Sequence, residues 1–103
     1  MDAFSNLVEI QKLKKEKLKQ IVVTLPSSGW AGSAVPYTQT ISVNGVTATN
    51  IVIVSPQPTQ SNITTVTECK VVASEQGVDA LTFMAMEEKP ASNVVFNILT
   101  GGE

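Results

Sequence analysis

The alternation of apolar and polar residues predicts most of this chain as short β-strands. The pattern is clearest over residues 37–43, where one face carries Tyr37, Gln39, Ile41 and Val43 and the other carries Thr38, Thr40 and Ser42. Such alternation is typical of a strand with one buried face. Asn44 and Gly45 follow, and both tolerate positive φ. Residues 51–54 are all apolar, which predicts a strand covered on both faces.

Four further strands are predicted over residues 20–25, 64–73, 80–86 and 93–99. Residues rich in Pro, Gly, Ser or charge separate them and predict turns or loops at 26–29, 55–62, 74–79 and 87–92. The expected inward residues of the last three strands are Thr67, Cys69, Val71 and Ala73; Leu81, Phe83 and Ala85; and Val94, Phe96 and Ile98. About six to seven short strands with no helix between them predict an antiparallel β-sandwich, with a barrel as the other topology that fits.

An amphipathic α-helix is predicted before the strands, over about residues 4–20, which contain no Gly or Pro. At about 100° per residue, one face gathers Phe4, Leu7, Ile10, Leu18 and Ile21. Lys14 and Lys17 interrupt the heptad register, so a short stalk in a helical bundle is favoured over a long coiled coil. A helix with one apolar side must dock on its own β domain or on copies of itself.

The chain is therefore predicted to have two segments, a helix at residues 1–20 for attachment and oligomerisation and a β-sandwich at residues 21–103. Several predicted strands are apolar on both faces, namely those with Val95 and Leu99, with Met84 and Met86, and with Val66 and Val72. A domain of this length has one core, so the second face must be covered by the helix or by neighbouring subunits. We expect a symmetric homo-oligomer whose helix seam is lined by Phe4, Leu7, Ile10, Leu18 and Ile21.

Charge is sparse and unevenly distributed. Of the residues, 43% are hydrophobic and 16% are charged, and the net charge is −2. Residues 1–22 carry five Lys and three acids, which could suggest nucleic acid or an anionic membrane as partner. The lysine run at residues 12–19 contains Glu16 and lacks Arg and interleaved aromatic residues. We therefore favour lysines on the solvated rim of a helix over binding to either partner. The chain has no run of about 18 apolar residues and no signal-peptide core, which predicts synthesis in a cytoplasm.

Catalytic chemistry is not predicted. The chain has no His, so the single cysteine, Cys69, has no obvious base and is expected to be a small core residue. Glu87 and Glu88 lie in a predicted turn, where solvated charge is the simpler interpretation. We find neither metal-ligand spacing nor a phosphate-binding Gly loop, and we therefore expect a protein that is not an enzyme and holds no metal or cofactor.

Trp30 and Tyr37 flank Pro36 in a loop-rich region and allow two interpretations. If exposed, they form a platform on which a sugar ring stacks, and the protein would be a carbohydrate-binding module for host adhesion. If buried, they close one end of the sandwich. Because the chain has only five aromatic residues, the core needs most of them, and the buried arrangement is favoured.

A set of motifs resembles a short β domain of phage and prophage structural proteins from Gram-positive and gut bacteria. These motifs are Gly29-Trp30, residues 36–43, Gly45-Val46-Thr47, residues 50–54, Ser55-Pro56 with Pro58, Cys69 with Glu75-Gln76, residues 81–83, and Pro90 before residues 94–98. In that family the domain stands alone or at the C-terminal end of tail, baseplate or head-fibre proteins. The similarity covers about residues 20–99.

The resemblance implies a trimeric β-sandwich mounted on an N-terminal helix. It further implies an appendage or decoration protein of a phage virion, made in the host cytoplasm, whose partners are its own copies and other virion proteins of the capsid, tail or baseplate. A host surface glycan is a further candidate partner, whereas nucleic acid and membrane are not expected.

Overall fold

The computed structural model describes residues 19–101, which form six strands and one α-helix. In chain order these are β1 (Lys19–Leu25), β2 (Tyr37–Ser42), β3 (Ile51–Pro56), α1 (Gln60–Cys69), β4 (Val71–Gly77), β5 (Ala80–Ala85) and β6 (Val94–Gly101). They make two antiparallel sheets of three strands, in the orders β1-β6-β3 and β2-β5-β4. This mainly β architecture is consistent with a small β-sandwich.

The core lies between the central strands of the two sheets. Leu81, Phe83 and Ala85 of β5 are buried, and so are Val94, Phe96 and Ile98 of β6. The inward faces predicted for these two strands are therefore confirmed. The rings of Phe83 and Phe96 lie 4.9 Å apart between centroids, so the two sheets share this aromatic contact. Each large side chain buried here stabilises the fold by about 1.5–3 kcal/mol.

The strand predicted over residues 64–73 is wrong in its first half, because Gln60–Cys69 form α1. The inward residues of this segment are Asn62, Val66 and Cys69, spaced by four and three as on one helix face. The Thr- and Val-rich composition favours a strand, but packing of that face on the core overrides propensity. Thr67, predicted to point inward, is exposed.

The turn predicted over residues 74–79 is also largely strand. Lys70 ends α1 in the left-handed region, at φ 53°, and its N–H donates to the carbonyl of Val66. The chain then enters β4 directly and continues to Gly77, with a register shift between Ala73 and Glu75. This bulge places one extra residue opposite β5, which broke the alternation on which the prediction relied.

The strand at residues 51–54 forms as predicted, but it is not covered on both faces. Ile51 and Ile53 are 52% and 53% exposed, and Val52 and Val54 face inward and are half-buried. The reason is that both isoleucines point away from the core, on the outward side of the β1-β6-β3 sheet, of which β3 is an edge strand. Its last residue is Pro56, which an edge strand tolerates.

The boundary between the two predicted segments also moves, because β1 begins at Lys19. Ile21, predicted for the helix seam, lies on β1 and packs half-buried against the core. A strand position cannot belong to a helical face, so that assignment of Ile21 is corrected. The other predicted seam residues, Phe4, Leu7, Ile10 and Leu18, lie outside the described residues.

Candidate functional site

Trp30 is placed by a turn and a short loop. It follows a 3₁₀ turn at Ser27–Gly29, and paired backbone bonds between Ala31 and Thr38, of 2.8 and 3.1 Å, close the loop after it. Its side chain is only 4% exposed and belongs to the core. Burial was the favoured interpretation, and a ring in this position has no free face on which a sugar could stack.

Tyr37, the other residue of the predicted platform, begins β2 and is half-buried. The ammonium of Lys89 lies 5.9 Å from the centre of its ring, within the range of a cation–π contact. The structure therefore gives the two aromatic residues different environments, and they do not form one exposed stacking surface.

The turn before Trp30 is fixed by Gln39, a buried residue of β2. Its Nε2 donates to the carbonyl of Pro26 at 3.2 Å. A Cβ atom at position 29 would overlap the Gln39 carboxamide, so a larger residue there would have to displace this side chain from Pro26. The Gly29-Trp30 motif thus has a structural explanation.

Asn50 organises the loop between β2 and β3. Its Nδ2 donates to the Gly45 carbonyl at 2.9 Å and to Oγ1 of Thr100 at 3.2 Å, and its Oδ1 accepts from the N–H of Thr47. Gln76 of β4 donates to the carbonyls of Thr47 and Asn50, each at 2.9 Å. The loop is therefore tied to both sheets, and the side chain of Asn50 supplies hydrogen-bond partners to the loop's own backbone groups.

Asn62 has the same kind of role on α1. Its Nδ2 donates to the carbonyls of Gln57 and Val95, both at 2.9 Å, and its Oδ1 accepts from the N–H of Val95 at 2.8 Å. Asn62 lies in the stretch predicted as a loop over residues 55–62, and this role was not predicted. Its helical spacing from Val66 and Cys69 is the sequence signal that could have located it.

Cys69 is buried at the end of α1, and its Sγ lies 3.9 Å from Oε1 of Glu88. Burial raises the pKa of the thiol, and the negative charges of Glu88 and Glu68 raise it further. A thiol held in its protonated form is a poor nucleophile at neutral pH. Cys69 therefore lies where a small core residue was expected. Within residues 19–101, no three His, Cys, Asp or Glu side chains are grouped as metal ligands.

Besides a recess of about 250 Å³ lined by Gln20, Ile53, Ser55, Asn97, Ile98 and Leu99, the described residues form two recesses at the edges of the fold. A cleft of about 360 Å³ opens between β3 and β4, and its lining consists of Val52, Val54, Ala73, Ser74, Glu75, Gln76 and Leu81. A polar recess of about 200 Å³ lies where α1 begins, lined by Gln57, Thr59, Ser61, Asn62, Thr65, Ser92, Asn93 and Val95. Their side chains are aliphatic, hydroxyl or amide groups apart from Glu75. Neither lining pairs a nucleophile with a base.

The most distinctive surface is the outward side of the β1-β6-β3 sheet, which we call the outer face. The register aligns Gln20 and Ile53 on either side of Leu99, and Val22 beside Asn97. Gly101, opposite Ile51, also lies on this side, and the nine outward side chains are those of Gln20, Val22, Thr24, Ile51, Ile53, Ser55, Val95, Asn97 and Leu99. Val22 is 57% exposed, and the two isoleucines of β3 are exposed by half. Exposed apolar side chains grouped on one side make the outer face a candidate interaction surface.

Comparison of the chain with family models, with curated proteins and with solved structures finds no match in any of the three.

Residues 19–101 include no helix that is both long enough and apolar enough to cross a membrane.

Proposed function

We propose that this chain is a non-enzymatic structural component of a phage virion, serving as a head fibre, a decoration protein or a tail or baseplate appendage. It is synthesised in the host cytoplasm and assembles as a homotrimer through its predicted N-terminal helix and its apolar sheet surface. The structural observation that supports the proposal is the exposed outer face, since an apolar surface of this kind suits a protein whose work is assembly.

The identity of the partners rests on the resemblance to phage structural domains. The motif residues that carry the resemblance include Trp30, Val43, Cys69 and Phe83, all of which are buried in the core. Gly29 makes the close backbone approach described above, and Asn50 ties a loop to both sheets. These positions serve folding, as the structural signatures of a domain family should.

The predicted helix supplies the second element of the proposal. Phe4, Leu7, Ile10 and Leu18 remain the proposed seam between subunits, without Ile21. The lysines beside the seam would lie at its rim, where they could contact an acidic surface of the capsid, tail or baseplate.

The proposal of a virion component is tested on particles. We would purify particles from the phage, or from the induced prophage, that encodes the chain, and search for its peptides by mass spectrometry across a density gradient. Peptides that follow the major capsid protein through the gradient are expected. Peptides confined to the soluble fractions, together with a cytoplasmic host protein used as control, would refute a virion location.

The proposed seam is tested in the full chain by light scattering after size exclusion. The expected mass of the wild type is that of three chains. Leu7→Lys should reduce this mass, because the substitution places a charge in the apolar seam. Glu9→Lys, on the opposite side of the predicted helix, introduces the same residue as a control and should leave the mass unchanged. A trimer that tolerates both substitutions would place the subunit contacts elsewhere.

A further inference from the structure

We infer that the outer face of the β1-β6-β3 sheet packs against a second copy of this chain. The inference rests on the homo-oligomer in the proposed function and assigns one of its interfaces to particular residues. Its occupant is a neighbouring subunit, and three observations carry the argument.

The first observation is the chemistry of the outer face. Its nine positions are five aliphatic side chains and four amide or hydroxyl side chains, and none is charged. Val22, Ile51 and Ile53 each leave more than half of their surface exposed. Exposed edge strands commonly carry charges that prevent association. On β3 there is no such charge, and its Ile51 and Ile53 point outward.

The second observation is where the charges lie. Among the described residues, charged side chains are found mainly on and around the other sheet, including Lys70, Glu75, Asp79, Glu87 and Lys89. Because the whole chain has a net charge of −2, two copies that met through acidic surfaces would repel each other. Copies that meet through the uncharged outer face avoid this like-charge repulsion.

The third observation is the position at which the preceding segment joins the sheet. Residues 1–18 lead directly into β1, which begins at Lys19. Residues 7–18 contain no Gly, Pro, Asn or Ser. To lie on the outer face of its own domain, this segment would have to reverse direction at that point. Reversals of this kind use short loops built from those turn residues. A second copy therefore covers the face more readily than the chain's own N-terminal segment does.

The size of the face sets the strength of the contact. Three strands spaced about 4.8 Å apart, each with about seven residues at about 3.3 Å, cover about 330 Å². A stable interface buries about 800 Å² per partner. The outer face thus contributes part of an interface and acts together with the predicted helix seam in the same oligomer. Weakening it should shift assembly to higher concentrations.

Charge substitution in the full chain tests this inference. Ile53→Lys places an ammonium in the outer face at a position where the isoleucine is already 53% exposed. Val72→Lys is the matched control, because Val72 is 44% exposed on β4 of the other sheet. Analytical ultracentrifugation over a concentration series should show that Ile53→Lys dissociates at concentrations more than tenfold higher than wild type and Val72→Lys. Equal dissociation of all three proteins would overturn the inference.

Crosslinking supplies a second readout that does not depend on loss of assembly. In a Cys69→Ala background, Ile53→Cys leaves one thiol per chain, so a short bismaleimide can join only two different chains. We expect crosslinked dimers from this variant and none from Val72→Cys in the same background. A wild type that stays monomeric at all concentrations, with no crosslink at position 53, would overturn the inference. Peptides of the chain in purified particles would in that case still support the virion assignment.

Discussion

The two sheets share one core, yet their outward sides differ. The β1-β6-β3 sheet presents uncharged and largely aliphatic residues. The β2-β5-β4 sheet presents a polar ladder in which Oγ1 of Thr40 and Oγ1 of Thr82 are 2.8 Å apart, with Glu75 of β4 beside Thr82 and with the apolar side chains of Val72 and Met84 on the same side. The inward sides serve the same purpose, which is burial. The outward sides therefore differ in charge, and the uncharged one is the outer face that we propose for assembly.

The connection between the sheets also favours this division. The chain passes from β3 to β4 through α1, which contacts β3, β4 and β6. Asn62 anchors the start of this helix to β6, and Cys69 ends it beside Glu88. Because α1 packs at one edge of the two sheets, it leaves the outer face of β1-β6-β3 uncovered.

Phe83→Ala should have the largest effect, and it tests whether the two sheets share one core. Deleting a fully buried aromatic ring should lower the free energy of unfolding by about 3–5 kcal/mol. Phe96→Ala, on the other sheet, should cost a similar amount and keep a single transition. Urea unfolding followed by circular dichroism measures both. Two separate transitions in either variant would show that the sheets unfold independently.

Asn62→Ala tests the link from α1 to β6. The substitution leaves two carbonyls and one N–H without their side-chain partner, and it should lower the free energy of unfolding by about 2–3 kcal/mol. Ser61→Ala, at the exposed neighbouring position, is the control and should change it by less than about 0.5 kcal/mol. Equal effects in urea unfolding would mean that the Asn62 bonds do not hold the helix.

The polar ladder of the β2-β5-β4 sheet should contribute less to the free energy of unfolding than the Asn62 hydrogen bonds do. Thr82→Val removes one partner of the Thr40–Thr82 hydrogen bond and should lower the free energy of unfolding by about 0.2–1 kcal/mol. The double variant Thr40→Val with Thr82→Val leaves neither hydroxyl unpaired and should recover part of the loss. If the double variant lost more free energy of unfolding than the two single variants together, this account would be contradicted.

The smallest effect concerns Cys69, beside the acidic turn that precedes β6. Because the folded-state pKa of the thiol is raised from 9.0, its contribution to stability is present below that pH and is lost as pH rises through the folded-state pKa. Alkylation by iodoacetamide at pH 8 should be slower than for an unfolded cysteine peptide. Glu88→Gln removes one negative charge and should raise the rate slightly, whereas Lys89→Gln should not. A native rate equal to that of the peptide would contradict the burial of the thiol.

Much of the fold could be predicted from the sequence where one face of a strand is buried. Strands β1, β2, β5 and β6 match their predicted ranges closely, because period-two alternation reports a single buried face directly. The α1 segment failed, since its Thr- and Val-rich run satisfies both a strand pattern and the helical spacing of its inward residues. The exposure of β3 was missed because an apolar run does not say which layer covers it.

The candidate surfaces were less predictable. Burial of Trp30 followed from the scarcity of aromatic residues, and the structure confirms it. The outer face could not be located, since it joins Val22, Ile53 and Leu99, which are far apart in the sequence. Only the register of β1 and β3 against β6 places these residues side by side.

The pairing of β1 with β6 also has a mechanical consequence. Lys19 lies opposite Thr100, so the described chain enters and leaves the sheet at the same end. A force that pulled these two points apart would open the ladder one rung at a time, which requires little work per step. If the domain were held through its outer face and the force applied at Lys19, the hydrogen bonds between β1 and β6 would instead bear the force together, in shear. Anchoring the sheet by its face would thus turn a ladder that unzips easily into one that bears tension.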